Sequence, residues 1–123
     1  MSKEMFYKQF EDGVLVDFEL LLKQSDINFV EEVTGMSYLH YSVLGNNREN
    51  TAALIKNGIN INMRDKKGNT ALHYALSQGY RQCASVLITH GANLFLINNK
   101  HVTPFDVAAA FNIPLNKYGV FNV

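Results

Sequence analysis

The chain has 123 residues, 47% of them hydrophobic, which is enough for one domain with a continuous core. Eleven basic and eleven acidic residues cancel, so overall charge gives no reason to bind duplex DNA, RNA or anionic lipid. No apolar run approaches the ~20 residues that span a bilayer, and Met1-Ser2-Lys3-Glu4 leads into no signal-peptide core. The single Cys83 can form neither an internal disulfide nor a thiolate metal cluster, and a reducing cytoplasm is the expected compartment.

In chain order, helical patterning predicts a first pair over residues 3–12 and 14–24, broken at Gly13. A loop from Asp26 to Thr34 leads to a second pair over 38–45 and 48–57, stopped at Gly58. The third pair, 71–78 and 81–90, has the clearest punctuation: Thr70 as a cap, then Gly79 and Gly91 as stops. In the fourth, Pro104 suits the first turn of a helix running to about Phe111, but Pro114 interrupts what should be its second helix. The final Gly119-Val120-Phe121-Asn122-Val123 is apolar for a terminus, which fits either cover for the last helix or pairing with another copy.

These pairs are copies of one unit. Gly68-Asn69-Thr70-Ala71-Leu72-His73-Tyr74-Ala75 matches Gly35-Met36-Ser37-Tyr38-Leu39-His40-Tyr41-Ser42 at a separation of 33 residues. Leu21, Leu54 and Leu87 share a slot; Ser37, Thr70 and Thr103 share the cap before an apolar run; Gly13, Asn46, Gly79 and Asn112 share a helix end. Glycine and asparagine are the residues that best tolerate positive φ, so their alternation at one slot reads as a left-handed cap. A unit this small buries its apolar face only by stacking on copies of itself, which makes the chain a solenoid.

Residues 68–93, from Gly68-Asn69-Thr70-Ala71-Leu72-His73 to His90-Gly91-Ala92-Asn93, resemble a complete ankyrin repeat. Residues 35–67 resemble a second, with Ser-Tyr-Leu-His for the usual Thr-Pro-Leu-His. Residues 101–123 resemble a truncated final repeat, and residues 1–34 a degenerate first one with Phe6 in the leucine slot. The resemblance implies an all-α ankyrin-repeat solenoid in a single domain, with the segments 26–34, 60–67 and 93–100 projecting as hairpin-like fingers. It also implies that His40 and His73 tie the capping hydroxyl to the backbone of the next repeat. Asp106 stands in that slot in the last repeat, and His101 replaces the turn glycine of Gly35 and Gly68.

No catalytic, cofactor or metal site is expected: the two histidines lack further converging ligands, and no nucleophile elbow, phosphate loop or zinc-protease motif occurs. Cys83 fits a small apolar filler better than a nucleophile. The resemblance implies a protein partner, with no nucleic acid and no membrane, held at the fingertips and the exposed face of each first helix. Slots that vary between copies place these contacts at Val33, Thr34, Met36, Leu44 and Gly45, then Lys66, Lys67, Asn69, Ser77 and Gln78, then Asn99, Lys100, Val102, Ala110 and Phe111. Met36, Leu44, Val102 and Phe111 are either the apolar centre of an interface or packing against the fingers. A standalone chain of this size points to a monomeric stoichiometric inhibitor, such as a toxin-neutralising immunity protein. An adaptor or host-directed effector is the alternative, and an enzyme the most remote.

Overall fold

The computed structural model describes residues 3–118. The apolar 119–123 segment, with its two expected roles, lies outside them. Seven α-helices and a final 3₁₀ turn follow one another: α1 (Lys3–Glu11), α2 (Phe18–Gln24), α3 (Tyr38–Leu44), α4 (Arg48–Lys56), α5 (Ala71–Gln78), α6 (Arg81–Thr89) and α7 (Pro104–Ala110), then Leu115–Tyr118. The inner helices α1, α3, α5 and α7 stack in a row, and the outer helices α4 and α6 stack behind them. Fingers connect one pair to the next.

Each inner helix after the first starts the same way. Ser37, Thr70 and Thr103 accept a bond from the backbone amide three residues on, and the residue there bonds back to the cap's own amide. That reciprocal box satisfies two donors that a helix start otherwise leaves open. The turn between helices uses the left-handed slot: φ is +74° at Gly13, +51° at Asn46, +72° at Gly79 and +56° at Asn112. His101 also takes positive φ, +61°, beside Gly35 and Gly68 at +71° and +78°.

One predicted boundary moves. The second helix begins at Phe18, not at residue 14, because side chains of α4 hold the preceding main chain extended. Asn47 Nδ2 donates to Gly13 O (2.8 Å), Asn50 Nδ2 to Val14 O (2.6 Å), and Val16 N donates to Asn50 Oδ1 (3.1 Å). Asp17 then caps the shortened helix through Leu20 N.

The core runs the length of the stack, through Phe6, Phe10, Leu21, Leu39, Leu54, Leu72, Leu76 and Leu87, each at most 1% exposed. The first junction differs from the others in being aromatic. Tyr38 lies against Phe6, Tyr7, Phe10 and Phe29 at centroid distances of 5.1–6.4 Å. Tyr7 occupies the slot that His40 and His73 fill later, and its buried hydroxyl finds no hydrogen-bond partner among the described residues.

Two stability predictions follow from this packing. Leu72→Ala or Leu87→Ala should cost about 2–5 kcal/mol in urea unfolding, by lost transfer energy and an unfilled cavity; a shift of only a few tenths would remove these leucines from the core. Tyr7→Phe should raise stability by about 1 kcal/mol, since it deletes a buried group without a bond; a comparable loss would mean that the hydroxyl is satisfied.

Candidate functional site

The histidines are the joints of the stack. His40 Nδ1 faces both Ser37 Oγ (2.9 Å) and Ser37 N (3.1 Å), and His40 Nε2 lies 2.8 Å from Asn69 O of the next repeat. His73 repeats the pattern with Thr70 (2.9 Å to each atom) and Val102 O (2.9 Å). A carbonyl only accepts, so Nε2 carries the proton; the amide of the cap only donates, so Nδ1 must be bare. The neutral imidazole is thus fixed in one tautomer on each joint. Burial pushes both histidines below their ordinary pKa, opposed by the Nε2 bond to the carbonyl and by the charge of Asp65.

The fingers are held by buried or half-buried acceptors. Glu31 takes the amides of Val33 and Thr34 (2.8 Å each); Asp65 takes those of Lys67 (3.0 Å) and Asn69 (2.9 Å); Asn98 takes those of Lys100 (2.9 Å) and Val102 (3.0 Å). The Val33 amide, then the Thr34 hydroxyl and amide, hold the Glu31 carboxyl below the usual range. Tyr74 Oη donates to Asp65 Oδ2, and burial, with this bond next, pushes the phenol up to about 12. Neighbouring fingers are laced through main chain, Lys66 N to Thr34 O and Asn99 N to Lys67 O at 3.0 Å each.

Two adjoining hollows lie between these fingers and the inner helices. One, of about 390 Å³, is lined by Lys67, Asn69, Asn98, Asn99 and Lys100. The other, of about 170 Å³, is lined by Asn69, His73, Tyr74, Ser77, Asn98 and Val107. They share Asn69 and Asn98, whose side chains bond each other at 2.9 Å. Five of the sequence-predicted contact residues, Lys67, Asn69, Ser77, Asn99 and Lys100, therefore meet in one groove.

The others lie outside these two hollows. Val33 stands at the first fingertip, 77% exposed, with Thr34 and half-buried Met36 behind it. Lys66 Nζ donates to Glu32 O of that finger (2.5 Å). Leu44 is half-buried in the slot equivalent to exposed Ser77, and Val102 is half-buried beside its own finger, with its carbonyl taken by His73. Gln78 and 60%-exposed Phe111 line a further hollow with Tyr80, Arg81 and Ile113, and Ala110 is exposed next to them. Gly45 is half-buried at the contact between α1 and α3. A Cβ there would lie 1.9 Å from Phe10 O, so only glycine lets α1 and α3 approach this closely.

Sequence reasoning passed over Asp65 and Asn98, which shape the groove together with half-buried Tyr74. Their signal lay in the recurrence of an acceptor, Glu31, Asp65 or Asn98, before each fingertip. Cys83 is fully buried, 3.7 Å from Thr51 Oγ1, and burial pushes its thiol up, which disfavours the nucleophilic thiolate.

Known proteins carry the same architecture. A family model described as ankyrin repeats (3 copies) matches residues 14–98 and 54–114. The chain belongs to the ankyrin-repeat family. Among solved structures, it is similar to the ankyrin repeat domain of Bcl-3, a unique member of the IkappaB protein family, at 31% identity and a TM-score of 0.70. The match covers 73% of this chain and 40% of that one, so the chain spans less than half of that domain's length. Ankyrin repeats are generally protein–protein interaction modules.

Because the unfolded histidines titrate near pH 6.5 and the folded ones below it, the stability of this ankyrin stack should be complete above about pH 6.5 and fall as pH drops toward the folded values. Thermal melts at stepped pH check this. A melting temperature that stays flat or rises from neutrality to pH ~5 would contradict neutral histidine joints.

Proposed function

We propose that the protein binds a partner protein across its fingers and inner helices, and that it acts as a stoichiometric inhibitor of that partner. The observation that carries the reading is the groove in which finger and helix residues meet across Asn69 and Asn98. Its floor is immobilised: Asn69 and Asn98 bond each other, Tyr74 is held by Asp65, and Asn99 Nδ2 donates to Lys66 O (2.8 Å). A surface ordered beforehand loses little side-chain freedom on association, which favours tight one-to-one capture. Exposed Phe111, which lines the next hollow with Ser77, Gln78 and Arg81, and half-buried Leu44 add apolar area beyond the groove.

A toxin-neutralising immunity protein is one inhibitor of this kind, and the cytoplasm is the compartment consistent with it. An adaptor would hold several unrelated proteins instead.

Leu44→Glu combined with Phe111→Glu should abolish capture of the partner in affinity purification while leaving the circular dichroism spectrum unchanged. Ser77→Arg provides a check that leaves the core alone, because the side chain it replaces is exposed in the groove. Undiminished capture by both variants would move the interface off this face, and recovery of several unrelated proteins would replace inhibitor by adaptor.

A further inference from the structure

The net charge of zero conceals a division along the chain. Residues 1–32 carry eight acids and three bases, whereas residues 33–123 carry three acids and eight bases. The division reaches the finger row. The first fingertip presents Glu31 and Glu32, and the next two present Arg64, Lys66, Lys67 and Lys100, all four exposed. The one acid on those two fingers, Asp65, is 7% exposed and engaged with Lys67 N, Asn69 N and Tyr74 Oη. No ion pair among the described residues involves any of the four cations.

We propose that the segment of the partner seated on the second and third fingers is acidic, with carboxylates held by Lys67 and Lys100 over the hollow floored by Asn69 and Asn98. This deepens the concave-face reading and rests on it. The cations flank a depression of about 390 Å³ lined only by ammonium-bearing and carboxamide side chains, so an incoming carboxylate meets donors and no acid. A short acidic peptide fits better than a nucleic acid. A polyanion long enough to release many counterions would run along the finger row onto Glu31 and Glu32, and no aromatic ring lines this hollow to stack a base.

The test uses the full chain and three labelled probes: a short polyglutamate peptide, a polylysine peptide of equal length and a single-stranded oligodeoxythymidine, titrated by fluorescence anisotropy. Polyglutamate should bind, with affinity falling several-fold as salt rises from about 50 to about 200 mM, and any binding of polylysine to the acidic first repeat should not weaken on charge reversal at Lys67 and Lys100. Lys67→Glu with Lys100→Glu should weaken polyglutamate binding at least about tenfold, whereas Lys8→Glu with Lys23→Glu, the same charge change on the first repeat, should alter it less than about twofold. Absence of polyglutamate binding, equal losses in the two pairs, or tighter binding of oligodeoxythymidine would each overturn the proposal. Partner capture separates the two levels. Loss in the Leu44/Phe111 variant with none in the Lys67/Lys100 variant would leave the concave face standing and remove the acidic segment; retention in both would remove the face itself.

Discussion

Everything in this stack depends on one bond geometry: a buried neutral histidine that caps its own helix through Nδ1 and reaches the following repeat through Nε2. His40 joins Ser37 to Asn69, and His73 joins Thr70 to Val102. The residue is chosen for having an acceptor and a donor on opposite edges of one rigid ring. Local helix initiation and long-range stacking are thereby the same interaction. In these two repeats the ring that completes the first turn also aims its donor at the neighbour's backbone.

The two ends show what happens without that joint. Tyr7 takes the slot in the first repeat and substitutes ring packing for a directed bond, lying 5.1 Å from Tyr38 and 4.9 Å from Tyr41. Gly45 permits the close approach, with helix backbone of α1 directly against it. In the last repeat, Asp106 accepts from Thr103 N and completes the cap, as a carboxylate can, but offers no outward donor. The fingers end in the same manner. Asn28 and Asn62 each accept the first amide of the next finger, from Asn60 and Asn93 at 2.8 Å, and the third position of the following finger is Phe95.

What was legible in the chain was what recurs. The helix pairs, the caps at Ser37, Thr70 and Thr103, and the left-handed slot shared by glycine and asparagine are local chemistry repeated at 33 residues; the role of His40 and His73, which reaches 29 residues on, came only with the family resemblance. The start of the second helix was not legible, because it is set by Asn47 and Asn50 reaching back some 34–36 residues to residues 13–16. No local preference of Val14 or Leu15 announces that. The role of Gly45 was hidden for the same reason: exposure was inferred from its helix slot, while the neighbour that fills the space belongs to another repeat. Of the groove, the variable lysines and asparagines were visible, but not the acceptors Asp65 and Asn98 that give them a fixed backbone to stand on.

That division of labour explains how one scaffold can carry an arbitrary surface. Glu31, Asp65 and Asn98 satisfy finger amides from within, so tip residues such as Val33, Lys67 and Lys100 contribute only their backbone to that bonding. Val33 stands at the first fingertip where Lys67 and Lys100 stand on the next two, an apolar side chain in place of a cation. Charge can therefore change sign from one finger to the next without disturbing the joints beneath, and here it does, from exposed Glu32 to exposed Lys66 and Lys67. A buried network that is fully satisfied is what makes such surface freedom tolerable: Tyr74 and Asp65 bind each other, so a carboxylate lies beneath the basic fingertips without presenting its charge to a partner.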